Sequence, residues 1–414
     1  MRMARHRPST DSQPSRRFAL GLLGALPLAT GGALASSPEI AEAATGTPRG
    51  GPRPGGAYDR FLKRLAERDE FSGTILVAYR GRPVLARAYG MADKERSIPN
   101  RADTIYNLAS TAKTFTGLAV VQLVRKGRIR LHEPLGSYLD GYPDEVAKHV
   151  TVHQLLTHTS GLVNHILPGE GDNRVTNSVE EEMRLRSEGH RKAKPMFTPG
   201  TQHSYSSVGF SILGELVATV SEEKSFHKYV ADNIFAPAKM TSTAYYTRPD
   251  WLTNKRIAHP YIYQTDGSRI DGVRNLDAGA VLNGGNGSNA ARAFIGSGGG
   301  GAFSTASDLV RFSFALESGK LAGRAYTELF MGPKFPRKPR DDSDAATAGF
   351  AAYGPVASIA RDQRLVGHGG GIAGGNTNWT IYRDSGWIGV ILCNYDLDVG
   401  SIIAEERKAV LGTS

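Results

Sequence analysis

The pattern that most limits what this chain can become is a pair of strand hairpins, one near each end. Gly73–Tyr79 and residues 83–89 are apolar, β-branched runs joined by Arg80-Gly81-Arg82, and residues 377–382 and 387–394 flank Arg383-Asp384-Ser385-Gly386. Runs of this kind bounded by turn residues read as strands. Strands at both ends predict one antiparallel sheet built from both ends of the chain, with everything between them inserted. That insert turns helical. Phe115, Leu118, Ala119, Gln122 and Leu123 trace a helix ending at Gly127 with its apolar positions on one side, and Thr151-x-x-Gln154 and Thr305-x-x-Asp308 are N-cap signatures. Val208, Ile212, Leu213, Leu216 and Val217 trace another helix, and residues 401–411 a last one ending at Gly412. The fold class is α+β: an antiparallel sheet with flanking helices and an inserted, mostly helical lobe.

At 414 residues the chain can bury a large core, and its single cysteine rules out a disulfide-stapled module or a metal site built on cysteine pairs. Cys393 lies inside an apolar run and reads as a buried small hydrophobe. The net charge of +10 falls to +6 once residues 1–35 are set aside, and no basic stripe with interleaved aromatics suggests nucleic acid. The densest basic patch, Lys334, Arg337, Lys338 and Arg340, is broken by prolines and reads as a solvated loop.

Ser15-Arg16-Arg17-Phe18 precedes an apolar stretch and small-residue cleavage candidates, so residues 1–35 read as an export signal of the twin-arginine type. Glycines and Pro27 make that stretch a poor permanent membrane span. Residues 36–56, rich in Pro and Gly, read as a linker, and residues 57–414 as the folded domain. A periplasmic or secreted protein follows.

Several chemical signatures fail on context. Gly369-Gly370-Gly371-Ile372-Ala373-Gly374 matches a dinucleotide pattern, but a strand run follows where a helix is required. His149 and His153 stand four apart with a helix start between them, which disfavours a shared zinc-binding face. Ser-x-x-Lys is more telling, because at a helix start it sets an amine beside a hydroxyl. It occurs three times. Ser221/Lys224 and Ser225/Lys228 sit among charged residues and read as surface turns and caps, whereas Ser110/Lys113 follows an apolar segment and opens the helix bearing Phe115 and Leu118. Desolvation there would lower the ammonium pKa, as a general base requires. An N-cap serine with a surface lysine is the plain alternative.

In its further motifs the chain resembles the penicillin-recognising serine hydrolases: class C β-lactamases, D-Ala-D-Ala carboxypeptidases, D-aminopeptidases and related esterases. Ser110-Thr111-Ala112-Lys113 resembles the first motif of that family, Ser204-Tyr205-Ser206-Ser207 after Phe197-Thr198-Pro199-Gly200 the segment of the second, and Gly367-His368-Gly369-Gly370-Gly371 before a strand the third. Leu155-Leu156-Thr157-His158-Thr159-Ser160-Gly161-Leu162 is similar to a further family segment. The resemblance implies a β-lactamase-like fold and an acyl-enzyme on Ser110. Lys113 and Tyr205 would share the base role, the phenol pKa being drawn down by the ammonium. Backbone N–H groups of Ser110 and Gly371 would form an oxyanion hole, with Gly370 and Gly371 letting the strand approach substrate. His368 would hydrogen-bond substrate or the Tyr205 hydroxyl, and Ser207 would contact the acyl side chain. Ser207 in place of the usual Asn, and His368 in place of the lysine common in lactamases, favour a peptidase or esterase over a dedicated β-lactamase. A small peptide or ester substrate, with no metal or cofactor, is implied. A carboxypeptidase or lactamase within the family, or a non-catalytic binding protein on the same fold, are the alternatives. Residues 166–194, polar and Gly-rich with a capped helix expected from Ser178, read either as a candidate lid or as a plain solvated excursion, and the glycine runs 284–288 and 298–301 read as loops.

Overall fold

The structure, a computed structural model, describes residues 51–162, 175–264, 266–278, 292–338 and 348–412. The expected export signal, most of the linker, the 284–288 glycine run, residues 166–174 of the candidate lid and Arg340 lie outside the described residues. Residues 51–56 already pack on the body, with Pro52 buried and the Gly55 N–H donating to Asp59 Oδ2 at 2.7 Å.

The two ends of the chain meet in one sheet. Its strands are β1 (Gly73–Tyr79), β2 (Arg82–Tyr89), β3 (Phe335–Pro336), β4 (Ala348–Ala351), β5 (Val356–Ala360), β6 (Gln363–Ile372), β7 (Gly375–Tyr382) and β8 (Trp387–Cys393). They run in the order β2-β1-β8-β7-β6-β5-β4-β3, antiparallel throughout, with Gly73 opposite Cys393 and Tyr79 opposite Trp387. Both faces of the central strands are covered, which is why β1 and β8 are apolar at nearly every position rather than alternating. Successive side chains go to opposite faces. Leu76, Ala78, Ile388, Val390 and Leu392 join the large core beneath the helical lobe, whereas Ile75, Val77, Trp387 and Ile391 join a second core. That second core is closed by helices α1 (Ala57–Glu67) and α7 (Gly400–Leu411) through Leu62, Leu65 and Ile402.

The lobe between the hairpins carries α2 (Lys113–Arg125), α3 (Val179–His190), α4 (Ser207–Val220), α5 (Ala306–Glu317) and α6 (Arg324–Met331). Their starts follow the caps legible in the sequence. Ser178, Ser206 and Thr305 each accept a backbone N–H through the side chain, and Thr151 and Gln154 form a reciprocal capping box on the short helix Val152–Leu156. The one-sided burial expected of α2 is not what forms. Every residue from Lys113 to Leu123 is buried, because this helix runs through the middle of the large core with Phe235 and Phe312 edge-on to Phe115. A charged residue at its first position is therefore carried into an apolar interior. Trp379 Nε1 donates to Ser313 Oγ at 2.8 Å, tying β7 to α5.

Of the other two Ser-x-x-Lys pairs, Ser221/Lys224 departs from a plain surface turn, since Ser221 is buried at the end of α4 while Lys224 is exposed, and Ser225/Lys228 is a surface element. Ser225 caps the short helix Phe226–Val230, and Lys228 pairs with exposed Asp232. Cys393 is buried and burial pushes its thiol up to about 12, which suits a core position. Gly367 to Gly371 precedes strand β7 as expected and is itself part of strand β6, so the glycine pattern there has no helix to aim at a phosphate.

Candidate active site

Ser110 sits in a single 3-10 turn, Ala109–Ala112, that leads directly into α2, so its side chain and that of Lys113 share one face. The turn is held from both sides. Ala109 takes φ +47°, a left-handed conformation that a non-glycine residue adopts only when its surroundings impose it. Its N–H donates to Asn107 Oδ1 at 2.8 Å and its carbonyl accepts from Gly301 N at 3.0 Å. Thr111 Oγ1 and Thr377 Oγ1 lie 3.0 Å apart, and Thr377 also donates to the Leu108 carbonyl, which fastens the turn to β7.

Lys113 is a lysine wholly buried in an apolar interior. Its amine is buried and donates to Ser110 Oγ at 3.2 Å, to Ser207 Oγ at 3.0 Å and to the Gly299 carbonyl. None of these partners is an anion. Desolvation alone draws the ammonium down to about 7, since nothing negative offsets the loss of water. The Gly298–Gly301 run, which the sequence left without a role, supplies the cradle. The Gly298 carbonyl accepts from Thr116 Oγ1 at 2.8 Å, and a Cβ on Gly298 would lie 2.4 Å from the Phe210 carbonyl and 2.8 Å from the Gly214 Cα. Only glycine lets the loop slide between α2 and α4 and present a carbonyl to the amine.

Tyr205 and Ser207 arrive on the turn that opens α4. The Tyr205 hydroxyl is hydrogen-bonded to the side chains of Ser110 and Ser207, and the Lys113 amine stands 4.8 Å from the phenol ring centroid. The expected lowering of the phenol pKa does not follow. Desolvation raises it, and the two hydroxyls together with Arg337 offset that only in part. Because Lys113 is itself short of charge near neutral pH, it cannot stabilise a phenolate.

From the other side β6 lies against Ser110. A Cβ on Gly370 would sit 2.3 Å from the Leu108 carbonyl and 2.9 Å from Ser110 N, so a side chain there would push the strand off Ser110. Gly371 is exposed beside it. β5 pairs with β6 only as far as Gly367. His368 is buried with Nδ1 against the Gly369 carbonyl, its ring 6.4 Å from that of Tyr205. These groups border an open cleft of about 530 Å³ that also takes in His158, His203, Arg337, Asn378 and Asp398.

Arg337 corrects the reading of the basic patch. It follows the edge strand β3, whose Phe335 pairs with Ala351, and it lines the cleft, while Lys334 lies over the Tyr353 ring. The proline-broken pattern hid a short strand that turns one of these cations toward the site. His158, within the Leu155–Leu162 segment, stacks its side chain directly on Tyr205, with ring centroids 4.6 Å apart. His153 Nδ1 is 2.9 Å from Tyr353 Oη and its ring stacks beside His132.

With this geometry in place, residues 58–411 match the model of the Beta-lactamase family. The chain belongs to that family. It is 28% identical over 273 residues to the protein PbpX of Bacillus subtilis (strain 168), covering 65% of this chain and 60% of PbpX. A penicillin-binding protein of the same organism is 26% identical over 360 residues, 85% of this chain and 73% of that one. The chain thus spans about three fifths to three quarters of these curated relatives. Among solved structures, a penicillin binding protein from Bacillus halodurans superposes with a TM-score of 0.66 at 26% identity, covering 83% of this chain and 97% of that one. Among the described residues no helix is long and apolar enough to cross a membrane.

Proposed function

We propose that the protein is an exported serine hydrolase that cleaves an amide or ester bond through an acyl-enzyme on Ser110. One observation carries the reading: the buried Lys113 amine, 3.2 Å from Ser110 Oγ and lowered to about 7 by desolvation, is a base matched to neutral pH. In its neutral form the amine keeps one N–H on the Gly299 carbonyl and turns its lone pair to the serine, whose hydroxyl then donates. Ser110 Oγ attacks the substrate carbonyl and its proton passes to Lys113 Nζ. The oxyanion is met by the N–H groups of Ser110 and Gly371. Tyr205, protonated because its pKa is raised, gives a proton to the departing amine or alkoxide and is reprotonated from Lys113. Water then hydrolyses the acyl-enzyme by the reverse route, and no metal or cofactor enters the scheme.

A peptidase or esterase fits better than a dedicated β-lactamase, since Ser207 spends its hydroxyl on Lys113 and offers no amide to an acyl side chain. Arg337 restores at the cleft wall the permanent positive charge that His368 does not supply, which suits a substrate with an anionic group. The test is the intact mass of the mature protein after a fluorophosphonate and, separately, a penicillin. Labelling by the fluorophosphonate that vanishes in Ser110→Ala supports the reading, and a lasting penicillin adduct moves it toward a carboxypeptidase. If neither reagent adds mass, the protein is a binding member of the family.

A further inference from the structure

Tyr205 is held by one residue on three sides. His158 follows the short helix Val152–Leu156 at φ +59°, which turns its backbone and its ring toward the same segment. Its carbonyl accepts from Ser204 N at 2.9 Å, and its Nδ1 accepts from Ser206 N at 3.1 Å. Between those two anchor points the imidazole lies over the Tyr205 ring, 36° from parallel, and it also packs on Phe210 with centroids 4.9 Å apart. The residues before and after the tyrosine and the tyrosine ring itself thus depend on a single residue, Ser204 through its backbone carbonyl and Ser206 and the ring through its side chain.

We propose that His158 is a positioning residue that fixes the Tyr205 hydroxyl against Ser110 and Lys113, a role that rests on the hydrolase reading above. The hydrogen bond from Ser206 N requires a lone pair on Nδ1, so the ring is the neutral tautomer with its proton on Nε2. Burial, and then the positive charges of Lys113, His203, His368 and Arg337, hold its pKa well below the usual histidine value. A cationic ring would set a donor against a donor and release the turn that carries Tyr205. Displacement of a proton-transferring group by about 1 Å is enough for a loss on the order of 100-fold.

Two substitutions separate positioning from general support. In His158→Asn the amide oxygen reaches the place of Nδ1, and asparagine tolerates a positive φ; in His158→Gln the oxygen reaches the place of Nε2 instead. Acylation by p-nitrophenyl acetate and thermal midpoints are measured for both and for the wild type. The expected result is a kcat loss of about 100-fold in His158→Gln, with KM within about three-fold and most of kcat recovered in His158→Asn. Equal kcat in the two variants, or kcat within about three-fold of wild type in His158→Gln, overturns the proposal. A second measurement does not need activity: with Cζ-13C tyrosine, the Tyr205 resonance, assigned by Tyr205→Phe, should move in His158→Gln and stay in His158→Asn. If the wild type forms no acyl-enzyme, the hydrolase reading falls, and this resonance still decides whether His158 holds Tyr205; an unmoved resonance in both variants ends the proposal.

Discussion

Among the described residues, two of the clusters that bury titratable side chains treat charge in opposite ways. Asp93, His259, Asp271 and Arg274 form a paired network: Arg274 bridges Asp93 at 2.7 Å and Asp271 at 2.5 Å, and His259 Nδ1 meets Asp271 at 2.6 Å. Burial pushes both carboxyls up, yet Arg274 and His259 with backbone N–H groups hold each below its ordinary value. At Lys113 the same desolvation acts with no counter-ion, and the amine is left near the point of losing its proton. Burial alone does not make a group reactive. A paired group becomes a structural tie and an unpaired one a base.

The contrast breaks most sharply if each cluster is cut. Lys113→Met should lower the rate of fluorophosphonate labelling by about 10³-fold or more while leaving the thermal midpoint unchanged or higher, because a buried amine without an anion is removed. Arg274→Met should do the reverse: activity within about three-fold, and stability lower by about 3 kcal/mol in urea unfolding, because two carboxylates lose their cation. A labelling loss in Arg274→Met with the fold intact would erase the distinction.

Titration sharpens it further. Acylation should rise about tenfold per pH unit below about 7 and level off above it, a limb absent from Lys113→Met. Stability has its own sign. Lys113 binds its proton up to the usual 10.5 in the unfolded chain but only to about 7 when folded, so between these values the unfolded state holds more protons. Wild type should therefore gain on Lys113→Met as pH rises through that window and show a constant difference below it. The paired carboxylates act at the other end, their contribution present at neutral pH and lost as pH falls through their lowered values. The smallest effect is expected for Ser207→Ala, about five- to ten-fold in acylation, since one neutral hydrogen bond to the amine is lost.

Sequence carried the two hairpins β1–β2 and β7–β8 but not the strands β3 to β6, because β-branched runs and turn residues are local signals and β1 and β8 are both at their strongest where they pair. Caps such as Thr151 with Gln154 were equally legible. The site was legible where it is local, as in Ser110 and Lys113, and obscure where distant segments build it. Nothing in the glycines at 298–301 says that one of their carbonyls will meet an amine far away along the chain. Gly367 to Gly371 carries almost no strand propensity, so its place in β6 comes from pairing with β7 rather than from its own residues. Arg337 was masked by prolines, which are tolerated at an edge strand such as β3. The direction of the Tyr205 shift depended on knowing that its neighbouring lysine is itself desolvated.

The Gly299 carbonyl that holds Lys113 belongs to a loop wedged between two helices, with Gly298 touching the backbone of α4 and Thr116 of α2. Tuning the proton affinity of this amine is therefore a matter of helix spacing. A substitution at a distant contact between α2 and α4 that parts them by a fraction of an ångström would admit water to the amine and return it toward an ordinary lysine, without altering any atom that touches it. Variants selected for a shifted pH optimum should thus map to the helix interface rather than to the cleft.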